Sequence, residues 1–164
     1  MSHQYPVIIV VLPLVISLLM FAAGWWLRRA GYFLALTALI ACLILALAIF
    51  QSVLSGGTIR YDIGGWNPPW GIEYRVDHLT ALMLVLISSL SLSTAVYAKR
   101  SVESEIPDRQ NLFWCLYLLL VTGILGITLT GDMFNLFVLL EVASLTSYCL
   151  VALGKDREIG RAHV

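Results

Sequence analysis

Charge is almost absent from five long stretches of this chain, and that absence constrains the fold more than any other feature. The stretches are Tyr5 to Leu27, Ala30 to Ile59, Leu79 to Ala98, Gln110 to Gly131 and Met133 to Gly154, the last broken once, by Glu141. An α-helix rises about 1.5 Å per residue, so about 20 residues cross a hydrocarbon core of about 30 Å. Each stretch passes that test. In lipid only helices and closed barrels satisfy their own backbone groups, and the alternation of barrel strands is missing here. The expected fold is an all-α membrane protein with five transmembrane helices, at about 5–27, 32–54, 78–98, 111–131 and 133–153. They form one bundle over 1–154, followed by a short tail over 155–164. Composition agrees: the chain is 60% hydrophobic and only 12% charged, too few charges to cover so much apolar surface in water. Ten basic and ten acidic residues cancel, which leaves no net field to attract nucleic acid.

The first stretch is expected to be a permanent span rather than a signal peptide. Its leader, Met1-Ser2-His3-Gln4, carries no Lys or Arg, and its apolar run is longer than a signal core. Pro13 inside it is expected to kink or loosen one turn. Numbering the connections alternately places Arg28, Arg29, Lys99, Arg100, Arg109, Lys155, Arg157 and Arg161 on one side and Arg60 and Arg75 on the other. The positive-inside rule then puts the N-terminus outside and the C-terminus in the cytoplasm, which requires an odd number of spans. Cys42, Cys115 and Cys149 fall one to a span with no metal-ligand spacing, and read as small buried apolar residues. His3, His78 and His163 lie outside the spans or at an end, so no haem ligand pair and no other cofactor or metal site is expected.

Between the second and third spans lies the one sizeable polar connection. In its flanks Ile59, Tyr61 and Ile63 alternate with Arg60 and Asp62, and Ile72, Tyr74 and Val76 alternate with Glu73 and Arg75. Period-two alternation around a Gly/Pro-rich centre predicts a β-hairpin over 58–76 on the outer side. Charges of opposite sign are expected to face each other across it, and Trp66 and Trp70 suit the membrane interface. A lone two-stranded hairpin is marginal. It either lids the helix ends or leans on a partner subunit or other helices of a complex.

Glu141 lies nine positions beyond Asp132, about 13.5 Å along a helix and close to mid-membrane. A carboxylate there costs about 2.5–3.5 kcal/mol on insertion scales. It should face the protein interior, and either pair with a cation or stay protonated. Ser144 and Tyr148 follow at three and seven positions on the same face and can orient the carboxyl or hold water beside it. Neighbouring spans carry Ser88, Ser89, Ser91, Ser93 and Thr94 on one helix, and Gly123, Gly126 and Thr130 with Thr122 and Thr128 on another. Those small and hydroxyl residues serve close packing or a polar path. No Lys or Arg lies within any expected span, so a cation for Glu141 must come from elsewhere.

Two long runs carry a family resemblance. They are Gly64-Gly-Trp-Asn-Pro-Pro-Trp-Gly-Ile-Glu-Tyr-Arg-Val-Asp-His-Leu79 and Thr130-Gly-Asp-Met-Phe-Asn-Leu-Phe-Val-Leu-Leu-Glu-Val-Ala-Ser-Leu-Thr-Ser-Tyr148. They resemble the N-terminal third of the antiporter-like subunits: the D-type subunit of the Mrp-type monovalent cation/proton antiporters and the related membrane-arm subunits of respiratory complex I. Lys99-Arg-Ser-Val-Glu-Ser-Glu-Ile-Pro107 is most similar to the D-type branch. The resemblance implies a multi-pass protein of a prokaryotic cell membrane that works with other subunits of an antiporter complex on protons and a monovalent cation. It implies a role in proton translocation for Glu141, paired with a lysine on a later helix, and a role for the hairpin in tying adjacent subunits together. Family members are much longer, so the expectation is a fragment, a truncated product, or a split subunit completed by another chain. Two other readings remain: a structural or assembly subunit with no transport role, and a subunit of an NADH-quinone oxidoreductase-like complex.

Overall fold

In the computed structural model, residues 4–23, 30–65 and 71–153 are described. Five helices cover most of them: α1 (Tyr5–Ala22), α2 (Gly31–Gly56), α3 (His78–Glu105), α4 (Gln110–Leu129) and α5 (Met133–Leu153). All five are long and apolar enough to cross a membrane. Large apolar side chains such as Leu19, Phe33, Ile44, Leu90 and Val151 stay exposed around the bundle, as expected where hydrocarbon is the solvent. The end of the first expected span, Trp66, Trp70, His3, His163 and the 155–164 tail lie outside the described residues.

α4 is the hub, packing on α5, α1, α2 and α3. Its seam with α1 is partly polar: the Ser17 hydroxyl donates to the Cys115 carbonyl (2.8 Å) and the Cys115 thiol to the Ser17 carbonyl (3.2 Å). Inside one membrane such reciprocal bonds add directional contacts to a seam that dispersion alone leaves slippery. α1 runs through Pro13 as one helix. Proline has no N–H for the carbonyl four residues back, and that carbonyl, Ile9 O, instead accepts the Cys42 thiol of α2 (3.7 Å). Trp114 is buried and packs edge-on against Tyr32 and Phe113, with ring centroids 5.1 Å apart in both pairs.

The α4–α5 seam depends on two glycines. A Cβ on Gly123 would lie 3.1 Å from the backbone N and Cβ of Ala143, whereas one on Gly126 would meet only the tip of Leu139, at 2.8 Å. Gly123 therefore lets two backbones approach, and Gly126 makes room for a flexible side chain.

The connection after α2 forms two antiparallel strands, β1 (Ile59–Asp62) and β2 (Glu73–Val76). Gly57, at φ 80°, ends α2 and turns the chain into β1. The expected alternation holds: Tyr74 and Val76 are buried, while Arg60 and Arg75 are exposed. The strands rest on this chain's own helix ends. Gly131 N–H donates to the Glu73 carbonyl (2.9 Å), and Tyr74 bridges Thr130, so the α4–α5 connection is added to β2 like a third strand.

Three expectations are corrected. The register sets Arg60 opposite Arg75 and Asp62 opposite Glu73, so like charges face each other. The ion pair is diagonal, Arg60 Nε to Glu73 Oε1 at 3.8 Å, because each polar face of a strand steps by two residues. α3 continues two turns past Ala98 to Glu105, since Lys is a good helix former; the Lys99 ammonium lies over the Tyr32 ring, 4.7 Å from the centroid. Of the cysteines, Cys42 and Cys115 are buried but Cys149 is exposed, since it lies on a side of α5 that no other described helix covers.

Two outcomes follow from these contacts. Gly123→Val forces the α4 and α5 backbones apart and destabilises the bundle by about 1–3 kcal/mol, with Gly126→Ala milder because the Leu139 tip swings aside; thermal unfolding in detergent measures both. Burial pushes the Tyr74 phenol above its ordinary range, partly offset by Asn135 against its hydroxyl. A folded-state pKa raised above the unfolded value of about 10 means this stabilisation is complete below about pH 10 and is lost as pH rises through the raised value. Melting temperature should therefore fall more steeply above about pH 10 in the native chain than in Tyr74→Phe.

Candidate functional site

α5 is joined to α4 by only three residues, Thr130, Gly131 and Asp132. Asp132 caps α5, its carboxylate accepting Asn135 N–H at 3.0 Å. The Thr130 hydroxyl accepts the Asn135 side-chain amide (3.0 Å) and Asp132 N–H (3.3 Å). This short, hydrogen-bonded connection fixes where α5 begins and which way it faces.

At about 100° per residue, Asn135, Leu139, Ala143, Thr146 and Leu153 fall on a stripe about 80° wide. Asn135, Leu139, Thr146 and Leu153 are the buried residues of α5, and Leu139 and Ala143 are the ones that meet Gly126 and Gly123. Glu141, Ser144 and Tyr148 lie within about 60° of one another on the opposite side. All three are exposed. The expectation that they share a face is met, but neither hydroxyl hydrogen-bonds the carboxylate among the described residues. The hydroxyls of Thr146 and Ser147 bond back to the Val142 and Ala143 carbonyls of their own helix.

Among the described residues Glu141 is exposed, so the expectation that it faces the interior is not met there. α5 packs chiefly on α4, and one neighbour covers only one side of a helix. Glu141 is the ninth residue of the 21-residue α5, so it stands near mid-span on the open side. Among the described residues the ion pair is Arg60–Glu73 and Glu141 has none. The hydroxyls of α3 are not brought to it: α3 packs on α2 and α4, and Ser89 and Ser93 bond to the Leu86 and Ser89 carbonyls of their own helix. Ser88 is buried without a hydrogen-bond partner among the described residues.

Sequence reasoning missed Asn135 and the polar joint it forms with Thr130 and Tyr74. The available signal was Asp132 three residues before a polar residue at the start of an apolar run, the spacing of a capped helix start.

No family model matches the chain. It is 37% identical over 163 residues to the N-type subunit of the NADH-quinone oxidoreductase of Desulforudis audaxviator, covering 97% of this chain and 32% of that protein. It is 30% identical over 154 residues to the D-type subunit of the Na(+)/H(+) antiporter of Alkalihalophilus pseudofirmus, covering 89% of this chain and 30% of that protein. Among solved structures, it superposes on a chain of the membrane-bound sulfane sulfur reductase, an archaeal respiratory membrane complex, with a TM-score of 0.86 and 29% identity over 94% of this chain and 31% of that one. It also superposes on a chain of the Mrp complex from Dietzia sp. DQ12-45-1b, with a TM-score of 0.79 and 30% identity over 91% of this chain and 27% of that one. The chain spans about a third of the length of the curated relatives it matches. It is homologous to the D-type subunits of Na(+)/H(+) antiporters and the N-type subunits of NADH-quinone oxidoreductases, and its extent is consistent with the N-terminal part of the Mrp D-type subunit.

Proposed function

We propose that the chain is part of a proton-translocating subunit of a multi-subunit cation/proton antiporter, with Glu141 as the carboxyl that takes up and releases the proton. One observation carries this reading: a lone carboxylate stands mid-span, opposite the packed stripe of its helix, in line with Ser144 and Tyr148. A carboxyl at that depth is too costly to be left facing lipid. Its open side is the natural seat for further helices of the same subunit or complex. A carboxyl among apolar groups holds its proton, and an approaching cation draws the proton off. Glu141 supplies one half of such a pair, and a lysine from outside the described residues supplies the other. The homology to the antiporter D-type subunit and to the Mrp complex chain supports the assignment.

In this reading the hairpin end faces outward and the end carrying Lys99, Arg100 and Arg109 faces the cytoplasm, in keeping with the positive-inside rule. The setting is a prokaryotic cell membrane, and the partners are the other subunits of the complex, protons and a monovalent cation. A second reading, a membrane-arm subunit of an NADH-quinone oxidoreductase-like complex, is favoured by the 37% identity to an N-type subunit. Glu141 does the same work in both.

The test is proton movement driven by a monovalent cation gradient in vesicles holding the whole complex. Glu141→Gln should slow exchange by about 100-fold or more while the complex assembles normally. Ser144→Ala and Tyr148→Phe should each slow it by about 2- to 10-fold, the size of one hydrogen bond. Exchange at the native rate in a normally assembled Glu141→Gln complex would remove the proposal. If Gly123→Val at the same time depleted the complex, a purely structural subunit would be the better reading.

A further inference from the structure

Asn135 lies six residues before Glu141 and about 120° from it around α5. It is the one polar side chain among the buried residues in the first turns of α5, 9% exposed, flanked by Phe134 and Phe137 at 72% and 64%. Its amide donates to the Thr130 hydroxyl at 3.0 Å and sits against the Tyr74 hydroxyl. Thr130 and Gly131 are in turn held to β2 by the Tyr74 bridge and by the bond to the Glu73 carbonyl. The amide thus ties α5 to a piece of structure that is not itself part of α5.

We propose that Asn135 is a positioning residue: it sets the rotation of α5 about its own axis and so aims Glu141 at the open side of the bundle. Its functional half rests on the reading of Glu141 given above; its structural half stands alone. The physical reason lies in the difference between the two kinds of contact along α5. At Gly126 the partner is the mobile tip of Leu139, and apolar contacts of that kind slide with little resistance. A hydrogen bond keeps its strength only over a narrow range of angles. Turning α5 would carry the Asn135 amide off Thr130 and Tyr74 toward the apolar side of the helix, where an unpaired amide is costly. Asn135→Leu removes that resistance without removing volume, and Thr130→Val removes the acceptor in the same way. Thr130→Ser keeps the hydroxyl.

The experiment uses the full-length subunit in its complex. Spin labels at Leu90 on α3 and Leu145 on α5, both 58% exposed, report the rotation of α5, and vesicle exchange is measured across pH. In Asn135→Leu and Thr130→Val the label distance should shift or broaden. The pH of half-maximal exchange should move by roughly half a unit or more, with the complex assembled in normal amount. Thr130→Ser should match the native protein in both. Unchanged label distances in Asn135→Leu and Thr130→Val overturn the proposal. So does a shifted distance with an unmoved pH profile where Glu141→Gln abolishes exchange, because the rotation then has no bearing on the carboxyl. If Glu141→Gln is silent, the reading of Glu141 fails instead, and the label distances alone decide the role of Asn135.

Discussion

The close approach of α4 and α5 at Gly123 governs the rest of the site. Backbone meets backbone there, and no water competes for the contact, so dispersion and shape decide how the two helices sit. That contact sets how close the two helices lie, while the three-residue connection above it and the Asn135 amide bonded to Thr130 bear on which face of α5 turns inward. Everything on the other face, Glu141 included, is turned away from the chain's own core. A bulkier residue at Gly123 would change the lateral place of α5 and, with it, the place of the one carboxylate that stands mid-span.

Polar chemistry is concentrated at the hairpin end of this seam. Asp132 caps α5, Thr130 gathers two donors, Tyr74 reaches in from β2, and the backbone of the connection extends the sheet. The opposite end has a different character, with Lys99 over the Tyr32 ring and Trp114 packed behind it. Between the two ends the described spans carry hydroxyls, most of them bonded to backbone carbonyls, but Glu141 is the one acidic or basic side chain there. The proposal for Glu141 rests on that isolation: a mid-span carboxyl with no cation beside it among the described residues is half of an interaction.

The five helices were legible because the hydrocarbon thickness imposes a length that composition reveals directly. The start of α5 was legible because Asp132 caps it, its carboxylate accepting the Asn135 N–H. The end of α3 was not legible. A basic pair, Lys99 and Arg100, looks like the end of a span, yet helix continues as long as the backbone bonds do, and a cation can lie over an aromatic ring. The strands were legible from period-two alternation, but their register was not: which charge faces which depends on the turn length, and alternation is silent on that. Glu141 stood out because charge is rare in its surroundings. Its outward direction did not, because the sequence shows which residues share a face but not which face a neighbour covers. Asn135 was overlooked because an amide near a helix start is ordinary until its partners are in place.

The central claim is that Glu141 changes its protonation as the complex turns over. Difference infrared spectroscopy on the whole complex in membranes, with turnover started by a cation gradient, tests it most directly. A protonated-carboxyl band should appear or disappear with turnover and be absent from Glu141→Gln. The same band, undiminished in Glu141→Gln, would contradict the claim.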